Sequence, residues 1–239
     1  MPRNHGARAA ESAAGEYHRD MSTFVPLQHE RLPADESARR AHEFVRHLDA
    51  RRTTRHFSPE PVPREWIEQA IRAGGTAPSG AHQQPWTFVA VSDPALKHRM
   101  REAAEEEERR FYAERITPEW RAALEPLGTD AVKTHLTDAP WVVVLFRQSH
   151  GVDADGSKRT FYYTQESCGI AAGLFIAAVH TMGLVTLTHT PSPMGFLGEL
   201  LERPANEKAF LVMPVGYPAV DAQVPALTRK SLDAIAVFR

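Results

Sequence analysis

Four short runs of β-branched and aromatic residues, Trp86–Val91, Trp141–Phe146, Leu184–Thr188 and Phe210–Val215, constrain this chain most. The first two are separated by a long, charged, helix-forming stretch from about Pro94 to Thr134, and the second and third by an apolar stretch, Gly169 to Met182, interrupted by His180. Strands interleaved with helices make a layered α/β arrangement, in which helices cover the faces of one sheet. With 239 residues, 42% of them hydrophobic, the chain can bury a sizeable core. No repeat and no Ser/Gly linker divides it.

Helix signals precede the first strand. Ala38, Ala41, Phe44, Val45 and Leu48 recur at helical spacing from Asp35 onward, and the helix runs into the basic stretch Arg51-Arg52-Thr53-Thr54-Arg55. A second helix starts near Pro63, buries Trp66, Ile67, Ala70 and Ile71, and stops at Gly74-Gly75, proline opening it and glycine closing it. The loop Thr76 to His82 follows. Residues 1–23, rich in Ala, Arg, His and Glu without periodicity, read as a mobile arm, and residues 24–239 as one domain.

Charge narrows the function. Lys and Arg number 28 against 30 Asp and Glu, so no cationic face recommends nucleic acid or an anionic membrane as partner. Residues 1–20 lack the apolar core of a signal peptide, and no run reaches the roughly 20 apolar residues of a membrane span. The single cysteine, Cys168, cannot close an intramolecular disulfide or build a multi-thiolate metal site. A soluble, cytoplasmic protein is expected, with Cys168 a core residue. The 12 histidines are scattered rather than set at ligand spacing, and Asp153-Ala154-Asp155-Gly156 reads as a turn rather than a calcium loop. Walker, dinucleotide-binding, zinc-protease and nucleophile-elbow motifs are missing.

Two features carry chemistry. Arg51, Arg52 and Arg55 are either a solvated helix end that complements the helix dipole or a phosphate clamp, in which guanidinium forks and the Thr53 hydroxyl grip phosphate oxygens. Pro78-Ser79-Gly80-Ala81 is either an ordinary turn or a loop whose backbone N–H groups approach a planar ligand. Glu105 to Arg110 taken alone is a solvated helix face.

Taken together, Arg-Arg-Thr-x-Arg, then Thr-Ala-Pro-Ser-Gly-Ala-His-x-x-Pro-Trp-Thr-Phe-Val, then Thr190-Pro191 and Arg229-Lys230 resemble the nitroreductase-like FMN flavoproteins. The helix from Glu105 to Ile116, Thr129 to Lys133, Gly183 to Pro191, Arg203 to Lys208, Pro214 to Pro218 and Val224 to Lys230 narrow the resemblance to the iodotyrosine deiodinase family. It implies an α+β three-layer sandwich, a central mixed sheet flanked by helices, and a homodimer with FMN at the interface. It implies FMN-dependent removal of halogen from halotyrosines, with NADPH or NADH as ultimate donor, directly or through a reductase.

The same resemblance assigns residues. Arg51, Arg52, Thr53, Arg55 and Arg229 take the FMN phosphate, and Pro78 and Ser79 line the isoalloxazine. Thr188, His189 and Thr190 flank the flavin, with the Thr190 hydroxyl on its N5. Glu108, Tyr112 and Lys133 read the substrate zwitterion, under a lid around 105–135, and the Ala81 N–H meets the phenolic oxygen. His189 stands where the family pattern has threonine, either satisfying a buried hydrogen bond or tuning the flavin or proton delivery. A general nitro or quinone reductase, with Glu108, Tyr112 and Lys133 as mere lid charges, and a non-catalytic flavin or halotyrosine sensor are the competing readings.

Overall fold

A computed structural model of the chain describes residues 24–239, so the expectation of a mobile arm over 1–23 lies outside the described residues. Two helices come first, α1 (Ala34–Asp49) and α2 (Arg64–Gly75), followed by strand β1 (Trp86–Val91). Helix α3 (Pro94–Arg110) continues into a π-helical turn, Phe111–Arg115, then α4 (Pro118–Leu124) and α5 (His135–Asp138). Both α3 and α4 begin on a capping side chain and a proline: the Asp93 carboxylate accepts from Leu96 N at 2.7 Å and the Thr117 hydroxyl from Trp120 N at 3.2 Å. These pairings satisfy donors a helix start would otherwise leave open.

Strand β2 (Trp141–Gln148), the hairpin strands β3 (His150–Val152) and β4 (Lys158–Thr160), helix α6 (Thr164–Thr181), strand β5 (Val185–Thr186), helix α7 (Gly195–Leu200) and strand β6 (Glu207–Gly216) complete the order. The main sheet runs β1-β2-β6-β5 and pairs antiparallel at every ladder. Its mixed character is confined to one parallel bridge between Thr53 and Thr186.

Alternation along β2 builds the layers. Val143 and Leu145 face Ile67 and Ala70 of α2 and Cys168, Ala172 and Phe175 of α6. Val142, Val144 and Phe146 face Met100 and Ala104 of α3 and Leu197 of α7. A strand buried on both faces reads as one continuous apolar run, which is what Trp141 to Phe146 is. The result is the expected three-layer α+β sandwich.

Two helices leave apolar side chains uncovered. No residue of α1 is buried, and its apolar stripe leaves Phe44 60% and Val45 65% exposed. Helix α6 is buried along one side only; Gly169, Ile170, Gly173 and Leu174 lie exposed on the other. No described helix is long and apolar enough to cross a membrane.

Candidate active site

Phosphate-clamp residues lie where α1 ends. A cavity of about 340 Å³ is lined by Arg51, Arg52, Thr53, Arg55 and Arg229, together with Leu127, Pro225 and Thr228. Arg229 reaches it from the far end of the chain because its guanidinium donates to the Asp49 and Arg51 carbonyls at 2.8 and 2.7 Å and pairs with the Asp49 carboxylate at 2.8 Å. Arg52 donates to the Pro225 carbonyl. Carbonyls at a helix C-terminus lack intrahelical donors, so the same bonds that finish α1 fix the distal segment. Burial, with the Arg229 and Arg52 charges, pushes the Arg51 pKa down. Among the described residues no carboxylate forms an ion pair with Arg51, Arg52 or Arg55, and Arg229 alone of the four has one.

A second cavity, of about 190 Å³, adjoins the first through Arg55, which lines both. Glu108, Tyr112, Lys133, Thr188, His189 and Thr190 all face it. Thr188 also faces a third cavity that shares Arg51 and Thr53 with the first and includes Gly173 of α6. The three form one tract from the arginine cluster to the charged residues of the 105–135 segment.

In the second cavity, Lys133 Nζ lies 3.4 Å from Glu108 Oε2, with the two side chains only 4% and 12% exposed. His189 Nε2 lies 3.1 Å from Glu108 Oε1. Burial raises the Glu108 pKa, but the His189 hydrogen bond and the Lys133 charge outweigh it and hold the carboxyl below its ordinary value. Lys133 Nζ also donates to the Asp130 carbonyl and, at 3.4 Å, to the Thr129 hydroxyl, while its backbone N–H donates to Glu105 at 2.8 Å. Tyr112, in the π-helical turn, donates its hydroxyl to the Thr129 carbonyl at 3.1 Å, and its pKa is raised by burial. Glu108 and Tyr112 thus share one helix face, as their spacing of four requires.

Pro78, Ser79 and Ala81 are not brought to this tract: they line none of its three cavities. Their loop, with a 3-10 turn at Gly80–His82, packs against the start of α6, where a Cβ on Gly80 would meet the Tyr162 carbonyl at 2.7 Å. Ser79 Oγ accepts from Gln84 N at 2.9 Å, and Ala81, His82 and Gln84 all have positive φ. Such strain persists only where the surroundings over-determine it. Pro78 and Ala81 are exposed.

Sequence reasoning missed His135, Phe111 and Trp120, which also line the second cavity. His135 is buried, its Nε2 has no partner among the described residues, and burial with nearby positive groups pushes its pKa down to about 3. Only the turn from Lys133 into α5 brings it there, and no local motif marks it.

The nitroreductase family model matches residues 48–217. Iodotyrosine deiodinase of Haliscomenobacter hydrossis is 49% identical over 214 residues, covering 90% of this chain and 96% of the relative. Iodotyrosine deiodinase 1 of Homo sapiens is 46% identical over 214 residues, covering 89% and 74%. Among solved structures, an oxidized iodotyrosine deiodinase bound to FMN and 3-iodo-L-tyrosine superposes with a TM-score of 0.71 at 25% identity, covering 82% of this chain and all of that one. The arginine tract, the buried Glu108–Lys133 pair and these likenesses agree, and the chain belongs to the nitroreductase family, among its iodotyrosine deiodinases.

Proposed function

We propose that this protein is an FMN-dependent oxidoreductase that reductively removes halogen from halogenated tyrosines such as 3-iodotyrosine. The observation that carries this reading is the buried Glu108–Lys133 pair beside Tyr112, in a cavity that shares Arg55 with the arginine-lined one. A flavin whose reactive ring met only apolar walls would serve many substrates. A carboxylate and an ammonium held out of water suit an amino-acid zwitterion, the one accepting from its ammonium and the other donating to its carboxylate.

FMN fits the donor set. Arg51, Arg52 and Arg55 are like charges with no carboxylate of their own in reach among the described residues, and a phosphomonoester supplies the missing anion. Thr53 and Arg229 complete its ring, and Thr188 and Thr190 flank the path onward, with Thr190 the hydroxyl donor toward flavin N5. When bound, FMN supplies the two electrons of the reaction, which NADPH or NADH replenishes, directly or through a reductase. The net change is balanced: a carbon–halogen bond breaks, halide leaves, and two electrons and a proton convert the ring carbon to C–H. The chain's part is to orient the ring, with the Ala81 N–H on the phenolic oxygen, and to exclude water under residues 105–135.

The working unit is a homodimer. Its support is the exposed apolar side of α6, whose Gly173 borders the tract, together with a Pro78–Ala81 loop that lines none of the three cavities of its own chain. The loop of one copy then serves the tract of the other. A reducing, cytoplasmic setting suits the lone buried Cys168, whose thiol burial pushes up to about 12.

Titration of the FMN-loaded protein with 3-iodotyrosine tests the zwitterion reading. Lys133→Ala is expected to cost about 2–5 kcal/mol of affinity, tenfold or more, by leaving the bound substrate's carboxylate out of water without its cation. A loss below tenfold makes the charged residues incidental and favours a general nitro or quinone reductase.

A further inference from the structure

His189 is the buried side chain that no role above uses fully. It stands on the sheet edge, clamped by reciprocal backbone hydrogen bonds with Val212 at 2.8 and 2.9 Å. Glu108, by contrast, lies at the end of α3, where the helix passes into its π-helical turn. The 3.1 Å contact between His189 Nε2 and Glu108 Oε1 therefore ties the 105–135 segment to the rigid sheet.

The two donors to Glu108 are unequal. Lys133 has alternatives on its own loop, the Asp130 carbonyl and the Thr129 hydroxyl, and a ligand carboxylate would draw it further. His189 makes no other side-chain hydrogen bond among the described residues: its Nδ1 is buried without a partner, and its ring meets the edge of His135, centroids 5.1 Å apart at 85°. Because the ionised carboxylate can only accept, Nε2 carries the proton and Nδ1 is left a bare acceptor. Burial, together with the Lys133 and Arg55 charges, pushes the imidazole's pKa down against the pull of Glu108, which favours the neutral ring. An orphaned buried nitrogen destabilises the fold; what the chain gains is a neutral donor that stays on Glu108 when Lys133 turns away.

We propose that His189 is a positioning residue for substrate recognition, holding Glu108 aimed so that it accepts the ammonium of the amino-acid substrate while Lys133 takes the carboxylate. The proposal rests on the halotyrosine reading and deepens it. It assigns His189 to the substrate's amino-acid end rather than to the flavin.

The experiment measures 3-iodotyrosine affinity by flavin fluorescence in the FMN-loaded wild type, His189→Leu and His189→Gln, alongside FMN affinity and turnover at saturating substrate. Glutamine carries an N–H donor at about the place of Nε2, and leucine carries none. Leucine is expected to weaken 3-iodotyrosine binding about tenfold or more, with glutamine close to wild type, and with FMN affinity and saturated turnover changed less than about threefold. If His189→Leu does not fold, His189→Asn replaces it, since its shorter amide falls short of Glu108 and is expected to bind as weakly. Unchanged affinity in the leucine or asparagine variant overturns the proposal, as does equal weakening by glutamine, or a loss that falls on FMN affinity or saturated turnover alone. A wild type that binds FMN but not 3-iodotyrosine overturns the halotyrosine reading itself, and the proposal with it.

Discussion

His135 gives the site a pH signature of its own. Its pKa falls from 6.5 to about 3 because burial, and then the neighbouring positive groups, disfavour imidazolium. Between those two values the unfolded chain binds a proton that the folded chain does not, so stability drops as pH falls through that window, by up to about 1.4 kcal/mol per pH unit. His189, shifted the same way, adds to the slope. Thermal melts of wild type between pH 7 and pH 5 are expected to decline more steeply than those of His135→Leu; parallel curves would mean that His135 titrates normally. Neither histidine was legible as this from sequence. His189 stood out as a departure from a threonine pattern, yet its partner Glu108 lies 81 positions away, a pairing that only the folded sheet edge creates.

Among the elements, those with one clear period were legible. Helix α2 spans Arg64–Gly75 and β1 spans Trp86–Val91 as the pattern indicates, and Asp153 to Gly156 is the turn expected, closed by Gly156 N to the Asp153 carbonyl at 2.8 Å. Strand β5 shrank to Val185–Thr186, because pairing beyond it survives only as the isolated bridge between His189 and Val212. The packing of α2 on α6 carries a test. A Cβ on Gly74 would lie 2.9 Å from Phe88 Cζ and 3.1 Å from the Ala171 carbonyl, whereas one on Gly75 meets nothing within 4 Å. Gly74→Ala is expected to destabilise by about 1–3 kcal/mol and Gly75→Ala to be neutral or mildly stabilising. Equal denaturation midpoints for the two would show that the helices can part without cost.

At the scale of the whole molecule, apolar surface remains that one chain does not cover. Helix α6 is apolar around its circumference, so periodicity could not reveal which side a single copy leaves open, and α1 looked amphipathic while burying none of its stripe. The motif Pro78-Ser79-Gly80-Ala81 stood out in the sequence as a candidate site loop, yet it lines none of the three cavities of its own chain, a placement that local sequence does not encode. Sedimentation is expected to find a dimer, and Leu174→Glu, placing a charge on the exposed side of α6, is expected to yield monomers that lose FMN and halotyrosine affinity together. Monomers with undiminished affinity would put the whole site in one chain.

Reductive dehalogenation at this tract is tested most directly by one anaerobic experiment: reduce the FMN-loaded protein, add 3-iodotyrosine, and follow the oxidised flavin absorbance while assaying free iodide. Reoxidation with one iodide released per flavin is the result expected. A flavin that stays reduced with 3-iodotyrosine yet is reoxidised by a nitroaromatic would contradict it.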